Sequence, residues 1–472
     1  MSQDQIIKVA MEEIEQKLRQ SMADLQMDTL TPELAEKVSQ GLKQSIRSAA
    51  LAAYRTFIES YDVKKVTIEI EGKILRNKIP SAKTFLTPFG EMTISRTLYQ
   101  ADSGGTAYFP LDEQWAMAGE YATSEVQDCI LFATAHLTPK EVERLLKKSS
   151  LFQPSEKAIK NIVNNTGEFI EARHEALNAA IQAEEKIPAA TQAVVASMDG
   201  ANVLLRENGK KTGRPKERPG ENSAAETDST YRNAMVGSIS YYGTQVNEQG
   251  EVEAVRLKSQ YLARMPEFQF PTFKAQFETE LAHVEKALGE KVTKVFLSDG
   301  HRVIWNYIDH HARFDDYEKM VDFYHTSEHL SHAAEALFGK KSQAATDWYE
   351  KWYEKLLAED AAANSVLRSM EYYAKDLKIP KSRLKDLEKE QTFFQRNQHR
   401  MTYADFLRRG LPIGSGPVEA ACKSVVKNRM CRSGMRWSRE DGQKILTLRA
   451  YAKADRWESF WKNYKELKRV AK

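Results

Sequence analysis

The chain has 472 residues, 42% of them hydrophobic and 29% charged, with a net charge of +3; this length predicts two or three domains with substantial cores, and the composition excludes a disordered or low-complexity chain. So small a net charge does not by itself demand a polyanionic partner, so any nucleic-acid site must come from local clustering of charge. Three cysteines, Cys129, Cys422 and Cys431, form neither a disulfide framework nor a metal-ligand spacing, and no run approaches the ~18 apolar residues of a membrane span, so a reducing cytoplasm and no membrane partner are expected.

Residues 1–60 read as a helical region. Its opening, MSQDQIIKVAMEEIEQKLRQ, is charged and amphipathic and has no apolar signal core, and Ile6, Val9, Ile14 and Leu18 recur at helical spacing, which suits a bundle or a dimerisation element. Over 61–120 the pattern becomes that of a small β region: VTIEIEG, FLTPFG and EMTISRTLY alternate and break at Gly and Pro, with a turn at Asp102 to Gly105. Residues 121–186 are helical again. There Thr138-Pro139 starts one helix and Gln153-Pro154-Ser155 the next, a pair that fits a DNA-binding helix-turn-helix and equally an ordinary helical hairpin.

A new domain opens at 187. AVVASMDGANVLLRE, from Ala193 to Glu207, is read as a buried strand, an Asp-Gly, and a second strand. The polar segment that follows has no core residues; its Gly213-Arg214-Pro215 resembles the core of an AT-hook, and Lys210, Lys211 and Arg214 are candidate DNA contacts. Strands are predicted at Arg232 to Tyr242 and Val252 to Ala263, and a helix at Thr272 to Leu288. KVTKVFLSDG is a further buried strand ending in Asp299-Gly300, Val303 to Ala312 is helical, and a last strand spans Met320 to His325. Residues 326–410 are read as an all-α insertion, and 411–472 as a final core helix with basic C-terminal helices.

The run LPIGSGPVEAACKSVVKNRMCRSGMRW, Leu411 to Trp437, sets Glu419 in the first turn of a helix. It then presents Lys423, Lys427, Arg429, Arg432 and Arg436 to a phosphate backbone, with Trp437 available to stack on an unpaired base. With the stretch from Ala193 to Glu207 counted once, the order is β-β-β-α-β-α-β, and in a mixed sheet of that order the first and fourth strands lie side by side in the ribonuclease-H-like fold. That adjacency would bring Asp199 and Asp299 to one sheet edge, and the final helix would deliver Glu419. The expected fold is therefore a multidomain α+β or α/β protein: a ribonuclease-H-like core with an all-α insertion, preceded by a helical and small β region. Three carboxylates meeting there cannot all stay ionised without a cation. Oxygen-only ligands suit Mg²⁺ or Mn²⁺, and a pair of such ions activates a water or a 3′-hydroxyl in phosphodiester chemistry. Taken singly, each acid has a plainer reading: Asp199 as a hairpin turn residue, Asp299 as a helix cap, Glu419 as a first-turn acid.

Four stretches carry a resemblance: MDG at Met198 to Gly200, SDG at Ser298 to Gly300, PIGSGPVEAACKSVVKNRMCRSGMRW, and DFYHTSEHL at Asp322 to Leu330. They resemble the DDE transposases of bacterial insertion sequences, and most closely the Kra-type insertion-sequence family; FLTPFGEMTISRTLY and PLDE extend the likeness over most of the chain. The resemblance implies that Asp199, Asp299 and Glu419 are metal ligands. It also implies that Asp322 and His325, which match the Asp/Cys-x-x-His element of Mutator-like and hAT-like transposases, support the site. By the same resemblance the partners are double-stranded DNA, both transposon ends and target, bound by a homo-oligomer at the bacterial nucleoid, and the reaction is strand cleavage and transfer at terminal inverted repeats. Where many relatives carry a Cys pair, this chain has Gln100 to Gly105, so no zinc site is expected there. A nuclease of the same fold, and a non-catalytic DNA-binding protein derived from a transposase, are the alternatives.

Overall fold

The computed structural model describes residues 3–23, 29–149, 152–206, 231–289, 291–377 and 379–471. The chain divides into two compact units, Met1–Ala172 with Trp461–Lys472, and Arg173–Phe460.

The first unit begins with helices α1 (Gln3–Met22) and α2 (Pro32–Glu59). Thr31 starts α2: its hydroxyl accepts from the Leu34 N–H at 3.1 Å, and Pro32 occupies the first helical position. Six short strands follow: β1 (Thr67–Ile70), β2 (Lys73–Asn77), β3 (Ser81–Thr87), β4 (Gly90–Arg96), β5 (Tyr99–Ala101) and β6 (Gly104–Tyr108). They form an antiparallel sheet of order β1-β2-β5-β6 and a separate β3–β4 hairpin. The predicted turn at Asp102 to Gly105 is shorter: Asp102 and Ser103 join β5 to β6, and Gly104 and Gly105 open β6. Alternation along β4 turns Met92 and Ile94 inward onto Phe85, Ile58 and Leu111. Helices α3 (Pro110–Gln114), α4 (Ser124–His136), α5 (Pro139–Ser149) and α6 (Glu156–Ala172) complete this stretch. Thr138 and Glu141 cap α5 reciprocally: the Thr138 N–H donates to the Glu141 carboxylate at 2.7 Å, and the Glu141 N–H donates to the Thr138 hydroxyl at 3.3 Å.

The second unit carries α7 (His174–Glu184), then β7 (Ala193–Leu204), β8 (Tyr231–Val246), β9 (Val252–Arg264), α8 (Pro271–Ala287), β10 (Thr293–Ser298), α9 (Arg302–Asp309) and β11 (Glu318–Val321). Five helices follow: α10 (Phe323–Phe338), α11 (Gln343–Ala358), α12 (Ala362–Asp376), α13 (Lys381–Asn397) and α14 (Tyr403–Arg408). Next come α15 (Gly416–Ala421), a π-helical turn at Cys422–Lys427, α16 (Asn428–Met430) and α17 (Arg439–Lys453). The last helix, α18 (Trp457–Val470), contributes the segment from Trp461 to the first unit. The sheet is mixed, with order β11-β10-β7-β8-β9: β7, β8 and β9 are antiparallel neighbours, while β10 runs parallel to both β7 and β11. Ala193 to Met198 are all buried, the pattern of a central strand covered on both faces. One continuous core joins this sheet to the helices, from Val195 and Phe296 through Leu330, Trp348 and Val366 to Phe394.

Two predicted boundaries are corrected. The stretch read as two strands around Asp199-Gly200 is one strand, β7, paired with β8 from Ala193↔Tyr242 to Leu204↔Tyr231; full pairing on that side leaves no place for a hairpin turn. The strand expected to run to His325 ends at Val321, because the Asp322 carboxylate accepts from the His325 N–H at 2.7 Å and starts α10. No helix among the described residues is long and apolar enough to cross a membrane.

Candidate functional site

The parallel register of β10 on β7, Thr293↔Ala193 to Phe296↔Ala196, carries the two strands to the same end of the sheet. The Ser298 hydroxyl ties them there by donating to the Met198 carbonyl at 2.6 Å. Asp299 leaves β10 at this point, and Asp199 stands within β7. Both line a cleft of about 610 Å³, together with Arg232, Asn233 and His301. Burial pushes the Asp299 carboxyl above the usual carboxylate range. The His301 N–H opposes that shift, the Asp199 charge adds to it, and the charges of His325 and His301 oppose it further. The two acids therefore act on one another electrostatically.

Each acid is held by its own neighbours. Asp199 accepts from the Gly200 N–H at 2.6 Å and from the Cys422 thiol at 3.2 Å. Burial, then the Asp199 charge, pushes that thiol well above its ordinary pKa, so Cys422 stays protonated and donates. Asp299 accepts from the His301 N–H at 3.0 Å, and its carbonyl accepts from the Trp305 indole at 2.5 Å. Glu419 is exposed in the first turn of α15, and the Ser415 hydroxyl donates to it at 3.0 Å. Val418, Ala421 and Cys422 are buried in one cluster with Val203 of β7, Val236 of β8 and Leu205 just beyond β7. Cys422, one turn beyond Glu419, thus links the Glu419 helix to Asp199.

Asp322 is fully buried. One of its oxygens caps α10 at the His325 N–H, and the other accepts from the Ser415 N–H, so a single carboxylate joins α10 to the entry of α15. Gly414 permits this approach: a Cβ there would lie 2.7 Å from the Tyr324 ring. His325 is partly exposed in the first turn of α10 and packs edge-on to His329, with ring centroids 5.0 Å apart.

The basic row divides. Lys423, Lys427 and Arg436 are exposed, and Arg432 is half-buried, donating to the Asn428 carbonyl at 3.1 Å. Arg429 does not face solvent as expected. It is 2% exposed, with its guanidinium 5.1 Å from the Trp437 ring centre. Trp437 is half-buried and engaged within its own protein. Its indole donates to the Met430 carbonyl at 3.0 Å, and its backbone bonds Leu204 and Arg206 at the end of β7. The reason is that the helix ends at Met430 and the chain turns back onto the sheet. Lys210, Lys211 and Arg214 lie outside the described residues.

Three features escaped the sequence reading. Cys422 was legible as lying one turn from Glu419, but its bond to Asp199 needs the fold. The π-helical turn leaves the Ser424 and Val425 carbonyls to accept from the buried Arg449 guanidinium, whose pKa is lowered to about 10 by burial and by the charges of Arg429 and Arg432. The third is a cluster in the helical region: His329, His332 and Glu390 place ligand atoms within 4.8 Å of one another. Among the described residues, Asp199, Asp299 and Glu419 are not drawn so close together. No protein-family model matches the chain, and no curated protein matches it.

Proposed function

We propose that the chain is a DDE transposase with a ribonuclease-H-like catalytic core, acting as a homo-oligomer on the ends of an insertion sequence. The observation that carries this reading is the parallel pairing of β7 with β10. Through it Asp199 and Asp299 share one cleft, while the Glu419 helix is bonded to Asp199 through Cys422. The donor set is all oxygen, and mutual repulsion of the two aspartates contributes to the raised Asp299 pKa, a penalty that a divalent cation would relieve. Asp199, Asp299 and Glu419 would hold Mg²⁺ or Mn²⁺, which when bound supplies activation of a water or 3′-hydroxyl and stabilisation of the leaving oxygen. In this reading Asp322 sets the position of Glu419, Cys422 orients Asp199, and Lys423 and Lys427 offset the repulsion between the acids and a phosphate backbone.

Asp199→Asn, Asp299→Asn and Glu419→Gln are each expected to reduce cleavage of transposon-end DNA in Mg²⁺ to background while leaving end binding intact. Near-wild-type cleavage by any one of them would remove that residue from the site. A nuclease of the same fold would share all three losses; joined donor–target products distinguish the two, since only a transposase forms them.

A further inference from the structure

We infer that His329, His332 and Glu390 form a site for a borderline divalent transition ion of the Zn²⁺ class, clamping α10 to α13. The two histidines, three residues apart, share one face of α10, and Glu390 reaches them from α13. Its carboxylate faces both imidazoles: one oxygen lies 2.5 Å from His329 Nδ1 and the other 4.0 Å from His332 Nδ1. Glu390 is only 8% exposed, so its charge needs compensation within the protein. The His329 ring is fixed in plane by stacking on Phe393, with centroids 3.6 Å apart and an 18° interplanar angle. His332 is exposed, with its side chain at 63%, and has room to swing in.

Two imidazole nitrogens and one carboxylate oxygen are a donor set for Zn²⁺ or Co²⁺ and a poor one for Mg²⁺, which takes oxygen ligands. Metal–ligand bonds of about 2.0–2.2 Å around one ion set the three ligand atoms roughly 3.5 Å apart, so the 2.5 Å His329–Glu390 contact opens and the 4.0 Å His332–Glu390 gap closes, both by modest shifts. Closure would also stiffen the wall of the acid cleft. Phe393, one turn from Glu390, packs against Gly300, where a Cβ would collide with its ring, and Gly300 follows Asp299. The inference rests on the helical region alone and does not require the three acids to bind anything.

The test uses the full chain stripped with EDTA and titrated with Zn²⁺ by calorimetry and with Co²⁺ by visible absorption. One ion should bind per chain, insensitive to millimolar Mg²⁺, and raise the melting temperature. Because Asp199, Asp299 and Glu419 could themselves take up Zn²⁺, the titration is repeated in the triple variant Asp199→Asn, Asp299→Asn, Glu419→Gln, where binding should persist. In that background His332→Ala, which removes an exposed side chain, should weaken binding by at least about tenfold, since even outer-shell partners are worth that much. Glu390→Gln should do the same. Unchanged Zn²⁺ affinity in both variants would overturn the site and leave a His–Glu hydrogen bond. Loss of binding in the triple acid variant alone would place the ion in the acid cleft, overturning this inference while leaving the catalytic reading standing.

Discussion

Arg429 and Lys427 are two residues apart and have different surroundings, which makes them a clean pair for separating structure from binding. Arg429 is packed against Trp437 inside the protein, so Arg429→Ala is expected to lower stability by about 1–3 kcal/mol in urea unfolding. Lys423→Ala with Lys427→Ala removes two exposed cations and should leave the urea midpoint unchanged. On end DNA it should lower the log–log salt slope by roughly 0.9 for each phosphate no longer neutralised. An unaltered slope would mean that neither lysine touches the backbone. The sequence showed the row of cations but not which of them face outward. The run from Glu419 onward reads as one helix, whereas the π-helical turn and the stop at Met430 change the facing of everything downstream. Asp199 was likewise legible as an acid in an Asp-Gly pair, yet only the pairing of β7 with all of β8 shows that it is a strand residue.

At the scale of elements, three pieces of the second unit converge on one buried ion cluster. Arg456, just beyond α17, bonds Glu185 after α7 at 2.6 Å and Glu280 of α8 at 3.0 Å, and all three side chains are nearly inaccessible. Burial alone would raise the Glu185 carboxyl, but the hydrogen bonds and charge of Arg456, with those of Lys258, outweigh it and hold the pKa below the ordinary 4.5. A depressed carboxyl contributes stability above its unfolded value and loses it as pH falls through the folded one. Glu185→Gln is therefore expected to cost about 3–5 kcal/mol at neutral pH, as for other buried pairs broken on one side. The gap to wild type should close as pH drops below 4.5, which urea titrations at a series of pH values would reveal. Element types were readable from periodicity and capping pairs such as Thr138 and Glu141. This cluster was not, because its members are separated by most of the unit and nothing local marks them.

On the scale of the molecule, the stretch 326–410 reads in sequence as an all-α insertion, and its helices share one core with the sheet. Leu330, Trp348, Leu356, Val366 and Phe394 are buried in the same cluster as Val195, Phe296 and Met320 of the sheet. A chain lacking 326–410 is expected not to fold, because burying that sheet face requires those side chains. Circular dichroism and a missing cooperative melt would register the failure; a cooperative melt would mean that the sheet closes without them. The pairing of β7 with β10 was expected from strand and helix succession. The shared core was not, since helical periodicity states which face is apolar but not which partner covers it.

The π-helical turn at Cys422–Lys427 also bears on how this chain tolerates changes in length. In an ordinary α-helix, losing one codon rotates all that follows by about 100° and turns buried positions outward. A π turn already holds a surplus residue, so deleting Ser424 lets it relax to standard i to i−4 bonding with both flanks still in phase. The deletion forfeits an acceptor of the Arg449 guanidinium, so the shortened protein should fold with reduced stability. Deleting Leu446 from the uninterrupted α17 has no such slack to draw on and should abolish soluble expression. If the two deletions prove equally damaging, the wide turn does not buffer the frame of the helix that bears Glu419.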